Sequence, residues 1–362
     1  RKEVLMFKAI KSKAMLAVLP AAMICTIAAP ASAETVPTVI GGNAGSEVNI
    51  PITKVLQLPE GASVPTEAFT FTLEAMTVGA PTASVSMPGF SGDDSPVESE
   101  NGICLVEKSA HIEFGGVFPH AGVYEYKVAE NQGATEGMTY SADSYTLRLY
   151  VANAADGSLY IESVTAEHGD GKAENVSFVN TYTKNSSLVI SKTTVGDYAD
   201  KTRKFEFSIT FDRIGMGNGD TEVTGNLANG DQLVCKLGEA MTFELADSEE
   251  LVFDSLPVGT RYTVTETGAE DDYVPSVQVV ENGVQGEEVR AAADADALAS
   301  AAGGATNLVG EGANSVAFTN ARDDVPLTGI LLKNAPFVVS ITAGALLLIG
   351  VVVRSVRRGA RR

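Results

Sequence analysis

The chain of 362 residues has no tryptophan, three histidines and three cysteines. His111, His120 and His168 match no metal-ligand spacing, so neither a histidine-built metal centre nor any other cofactor is expected. Cys25 falls in the N-terminal apolar stretch, while Cys104 and Cys235 lie in different halves of the chain. A disulfide between those two is not expected, and both read as buried apolar residues. No glycine-rich phosphate loop opens a helix, and no Gly-x-Ser-x-Gly elbow occurs. Basic residues are scarce where they would count. Residues 34–328 hold 15 Lys and Arg against 45 Asp and Glu. So acidic a surface repels phosphate backbones, which excludes nucleic acid as a partner, and it disfavours docking on anionic lipid. The pairs Asp93-Asp94 and Glu287-Glu288 read as solvated surface. No catalytic cluster of a hydrolase is present.

Long hydrophobic runs are confined to the two ends. Lys8, Lys11 and Lys13 precede an apolar stretch from Ala14 to Ala29, and Ala31-Ser32-Ala33 follows with small residues at a cleavage spacing. Residues 1–33 are therefore expected to be a secretory signal peptide with Ala33 the last residue removed, an uncleaved anchor being the alternative. At the other end, Ala335 to Val353 runs 19 residues without a charge, enough to cross a bilayer as a helix. Arg354, Arg357, Arg358, Arg361 and Arg362 follow and would hold that tail in the cytoplasm. Val325-Pro326-Leu327-Thr328-Gly329 precedes the span. Signal, pentapeptide, span and basic tail in this order resemble the cell-wall sorting signal of Gram-positive surface proteins, with Val325 where leucine is commonest. That resemblance implies a sortase that cuts between Thr328 and Gly329 and passes the threonyl group to an amine, with peptidoglycan as the eventual anchor. A simple single-pass membrane protein is the alternative.

The middle of the chain repeats. Ile52-Thr53-Lys54 and Ile190-Ser191-Lys192 open the two copies. Phe69-Thr70-Phe71-Thr72-Leu73 and Phe205-Glu206-Phe207-Ser208-Ile209 follow, then Tyr126-Lys127-Val128-Ala129-Glu130 and Tyr262-Thr263-Val264-Thr265-Glu266. Phe178-Val179-Asn180-Thr181 and Phe318-Thr319-Asn320-Ala321 close them. The lysines are offset by 138 residues, the glutamates by 136 and the asparagines by 140. A period this long means two tandem domains, expected at 34–184 and 185–322, with a polar joint near Thr183–Ser187 and a sorting region at 323–362. The period-two alternation of apolar and polar residues, separated by glycine- and proline-rich turns, predicts an all-β chain of two Ig-like β-sandwiches. The Ala- and Gly-rich stretch 291–312 is expected to be an inserted surface loop, with a short helix as the alternative.

Parity carries the chemistry. Residues two apart in a strand share a face. Lys54 shares one with Ile52, Leu56 and Leu58; Glu130 with Tyr124, Tyr126 and Val128; Asn180 with Phe178 and Tyr182. Lys192, Glu266 and Asn320 fall on the same apolar faces of the second repeat. An unpaired buried charge costs several kcal/mol, so each trio must pair closely or neutralise. A structural ion pair beside an amide, or a set of strand ends near solvent, would meet that need. The recurrence of the trio resembles instead the intramolecular isopeptide domains of Gram-positive pilins, most nearly the streptococcal major-pilin type, over most of residues 36–322.

That resemblance implies a self-formed amide between Lys54 and Asn180 under Glu130, and another between Lys192 and Asn320 under Glu266. Desolvation is expected to lower the lysine pKa, freeing a nucleophilic amine, and to raise the glutamate pKa, leaving a proton for the amide oxygen. It implies also a covalent homopolymer in which Thr328 of one subunit joins a lysine of the next. Lys172, on a turn eight residues before Asn180, is the expected acceptor, and Lys184 in the joint the alternative. The implied role is the backbone subunit of a wall-anchored pilus; the alternative is a wall-anchored adhesin or minor pilin that binds a host ligand without polymerising.

Overall fold

The computed structural model describes residues 48–322, apart from 99, 217–218, 220, 270–272 and 293–294. The expected signal peptide, the pentapeptide 325–329 and the apolar span 335–353 lie outside the described residues. Among those described, a single 3-10 turn at Glu100–Gly102 is the only helical element, and no helix is long and apolar enough to cross a membrane. The described residues are all-β, as the alternation predicts.

Residues 48–182 build two sheets. In one, the strand Val48–Pro59, which carries Lys54, runs between Ile103–Phe114, antiparallel to it, and Val176–Tyr182, parallel to it. The facing sheet is ordered Gly171–Ala173, Leu159–His168, Ser144–Asn153, Gly122–Glu130 and Phe71–Ala75. Residues 185–321 repeat the plan. Asn185–Val195, carrying Lys192, lies between Glu250–Pro257, antiparallel, and Asn314–Ala321, parallel. The facing sheet pairs Phe205–Arg213 with Arg261–Thr267. The inward faces are those that parity assigns: Ile52, Leu56, Leu58, Tyr124, Tyr126, Val128 and Phe178 are buried in the first sandwich, and Leu188, Ile190, Tyr262, Val264, Val316 and Phe318 in the second. Burial of such side chains stabilises each sandwich by roughly 1.5–3 kcal/mol apiece.

The stretch 291–312 departs from expectation. It supplies two short strands, Ala297–Ala299 and Asn307–Leu308, both antiparallel to Arg261–Thr267. Leu298 is buried in the core, and Ser300 clasps Val264 twice: its N–H donates to the Val264 carbonyl (2.7 Å) and its Oγ accepts the Val264 N–H (2.9 Å). Cys235 is a buried free thiol of the second core, whose pKa burial raises to about 11; Cys104 is half-buried and free.

The two sandwiches meet in a charged seam. Glu60 of the first receives Arg213 (3.0 Å) and Arg261 of the second. Glu311 receives Lys184 and the Ser63 N–H (2.8 Å), while its own N–H donates to the Gly61 carbonyl (3.0 Å). Gly61 has φ +82, and a Cβ there would sit 3.1 Å from the Gly310 Cα, so the backbones approach as closely as only glycine permits.

Candidate functional site

Each sandwich holds a lysine, a glutamate and an asparagine in its interior, and none of the six is more than 7% exposed. Strand register explains the convergence. Lys54 is the parallel partner of Phe178 and Lys192 of Phe318, so in both sandwiches the asparagine stands two residues further along the neighbouring strand, on the same face. Strand spacing and rise put that diagonal at about 8 Å, which a four-carbon lysine side chain spans. The glutamate enters from the facing sheet, at the end of Gly122–Glu130 or within Arg261–Thr267. In the first sandwich the trio separates two apolar clusters, one around Ile52, Tyr126 and Phe178, the other around Leu56, Leu58, Phe69 and Tyr182.

The contacts are direct. Lys54 Nζ donates to Glu130 Oε2 at 3.0 Å and to the Phe178 carbonyl at 3.3 Å; Asn180 Nδ2 donates to Glu130 Oε1 at 2.8 Å. In the second site Lys192 Nζ and Asn320 Nδ2 both donate to Glu266 Oε1, at 2.6 and 2.7 Å. The carboxyl group of each glutamate therefore touches both nitrogens. Burial pulls the Lys54 and Lys192 amines down to about 8, the largest effect at each, against the opposing pull of the paired glutamate.

The amide orientation of Asn180 is fixed chemically. Its Oδ1 accepts the backbone N–H of Ser141 at 2.8 Å, a group that can only donate, so the nitrogen must face Glu130. Among the described residues, Asn320 Oδ1 of the second site has no hydrogen-bond partner, nor does Thr194 Oγ1, which stands in register beside it.

Parity missed three participants. Phe69 lies under the Lys54 amine at 4.5 Å and Phe205 under Lys192 at 4.4 Å, rings that favour a cation while adding to the desolvation. Their signal was present in the repeat, because the Phe-x-Phe strand follows each lysine. Ser141 gave none, since its contribution is a main-chain N–H.

The other lysines divide sharply. Lys108 pairs with Asp94, Lys184 with Glu311, Lys201 with Asp247, Lys204 with Glu244 and Lys236 with Glu222. Lys172 is exposed on the edge strand Gly171–Ala173 and takes part in no ion pair among the described residues, and the same holds for Lys127 in Gly122–Glu130. His168 contacts Asp143 at 3.3 Å, and His120 contacts Tyr124. Among the described residues no group of three His, Cys, Asp or Glu could hold a metal ion.

Residues 50–183 match the family described as Spy0128-like isopeptide containing domain, and residues 186–322 match a domain of unknown function, DUF7601. The pilus tip adhesin Cpa of Streptococcus pyogenes is 34% identical over 143 residues, which cover 40% of this chain and 18% of the adhesin. The match thus spans about a fifth of that relative's length. Among solved structures, the major pilin from Streptococcus pyogenes covers 78% of this chain and is itself covered completely, at 21% identity and TM-score 0.37. The T3.2 major pilin of the same species is 22% identical at TM-score 0.35, again over 78% of this chain and all of the pilin.

Proposed function

From the match of residues 50–183 to the Spy0128-like isopeptide containing domain family, we propose that the chain is an exported, wall-anchored pilus subunit whose two sandwiches each close a Lys–Asn amide. The observation that carries this is the recurrence of one buried contact set, with a glutamate touching both the lysine and the asparagine nitrogen in each repeat.

The chemistry follows from those contacts. The neutral amine of Lys54 attacks Cγ of Asn180. Nζ must then lose a proton, and Nδ2 must gain one to leave as ammonia. Glu130 contacts both, so its carboxyl group gives a proton to Nδ2 and receives one from Nζ, ending as it began. This nitrogen-to-nitrogen relay replaces the transfer to the amide oxygen expected from sequence, because Asn180 Oδ1 faces Ser141 and not Glu130. Glu266 stands in the same relation to Lys192 and Asn320. Each site acts once, which is self-modification and not enzymatic turnover.

The reactive arrangement, a neutral amine beside a carboxyl group that carries a proton, holds a single proton on the pair. That proton is lost as pH rises through the lysine value of about 8. Closure during refolding is therefore expected to run at a steady rate from pH 6 to 7 and to slow about tenfold per pH unit above 8, as followed by intact mass. A rate that rises through pH 8 and stays high would contradict a glutamate that must supply the proton.

For polymerisation we propose cleavage of the 325–329 pentapeptide between Thr328 and Gly329 by a sortase, and Lys172 as the acceptor in the next subunit. Support comes from its exposure and its freedom from ion pairs, whereas the alternative, Lys184, is held in the seam by Glu311. Coexpression with the sortase should give a ladder on denaturing gels that Lys172→Ala abolishes. A ladder that survives Lys172→Ala and disappears with Lys127→Ala would move the acceptor to Lys127. A single band throughout, with binding to a host ligand, would favour a non-polymerising adhesin.

A further inference from the structure

We propose that the backbone N–H of Ser141 is the oxyanion donor for the Lys54–Asn180 closure. The inference rests on the isopeptide reading above and adds a catalytic group to it. When Nζ bonds to Cγ, the carbonyl π pair moves onto Oδ1, which becomes negative until the Cγ–Nδ2 bond breaks and ammonia departs. Oδ1 is buried, so water cannot stabilise that charge, and Glu130 is turned to the two nitrogens. The Ser141 N–H already stands 2.8 Å from Oδ1 in the unreacted geometry. A preorganised donor in a dry site stabilises such a charge strongly.

The segment is built to hold that N–H in place. Ser141 is itself buried. Its Oγ donates to Asp143 Oδ2 (3.1 Å) and accepts the Asp143 N–H (3.2 Å), and its carbonyl accepts Gln132 Nε2 (3.0 Å). Asp143 is anchored in turn by His168. Among the described residues no donor reaches Asn320 Oδ1, so the proposal concerns the first site alone.

The test removes the N–H and leaves the trio intact. The full chain is recovered unreacted under denaturing conditions and refolded, and both cross-links are followed by peptide mapping. Wild type is compared with Ser141→Pro and with an ester in place of the Tyr140–Ser141 peptide bond. Closure of Lys54–Asn180 is expected to slow roughly 10²–10³-fold in the proline and ester chains. The Lys192–Asn320 bond serves as the internal control and closes normally in all of them. If the proline chain closes neither bond it has failed to fold, and the ester chain, which keeps the side chain and shape, decides. First-bond closure at the wild-type rate without the N–H overturns the inference. Absence of either bond from the wild-type chain would instead overturn the isopeptide reading itself.

Discussion

Glu130→Ala is expected to leave the folded chain one ammonia heavier than wild type, and Glu266→Ala likewise, each blocking its own cross-link and sparing the other. Among the described residues each carboxyl group is the one proton carrier in contact with both nitrogens of its site, at 2.6–3.0 Å. Alanine removes the route by which Nδ2 becomes a leaving group, and it strands a buried lysine without its carboxylate, which costs about 3–5 kcal/mol of stability besides. The two sites sit in separate cores, so their effects on mass are additive: the double variant keeps both ammonias. Intact mass spectrometry resolves all four states. A Glu130→Ala chain that still loses two ammonias would show that the proton travels by another path.

Loss of a cross-link should also be a large stability effect. The closures run from 54 to 180 and from 192 to 320, loops long enough that chain entropy alone puts each bond at about 4–5 kcal/mol. For a sandwich of this size that corresponds to about 15 °C in Tm. Asn180→Ala and Asn320→Ala test it best, because they leave the lysine–glutamate pair in place. The same variants carry a pH signature. The buried lysine titrates near 8 when folded and at its ordinary 10.5 when unfolded. Between those values the unfolded chain binds more protons than the folded one, so stability should rise with pH from 8 to 10.5 and be flat below. Calorimetry across that window checks both claims. A Tm within two or three degrees of wild type would mean that the bond is not formed or that it constrains nothing.

The two proposed bonds would tie the opening strand of a sandwich to its closing strand, and those two strands are parallel neighbours. Tension applied at the two ends of a sandwich would shear the ladder between them. An amide across that ladder would place a covalent bond in the load path, as the proposed pilus subunit would need.

The trios were legible in the sequence because strand parity is a strict signal: a lysine between Ile52 and Leu56, or an asparagine between Phe178 and Tyr182, must point into the core if its neighbours do. The fold class followed from the same alternation. The strands within 291–312 were hidden by composition, since alanine and glycine carry no period that distinguishes a strand from a loop; their pairing is set by Leu298 and by the Ser300 clasp on Val264. The ion pair that occupies Lys184 was equally invisible, because its partner Glu311 lies far along the chain and on the other sandwich. The direction in which Asn180 presents its amide depends on one main-chain N–H in a loop, and no residue type announces that.

A tryptic map of the purified wild-type chain reads the covalent state directly. The account predicts branched peptides joining Lys54 to Asn180 and Lys192 to Asn320, each short of one ammonia, with trypsin unable to cut after either lysine. Linear peptides cleaved at Lys54 and Lys192, with both asparagines intact, would contradict it and leave two buried ion pairs in an ordinary surface protein.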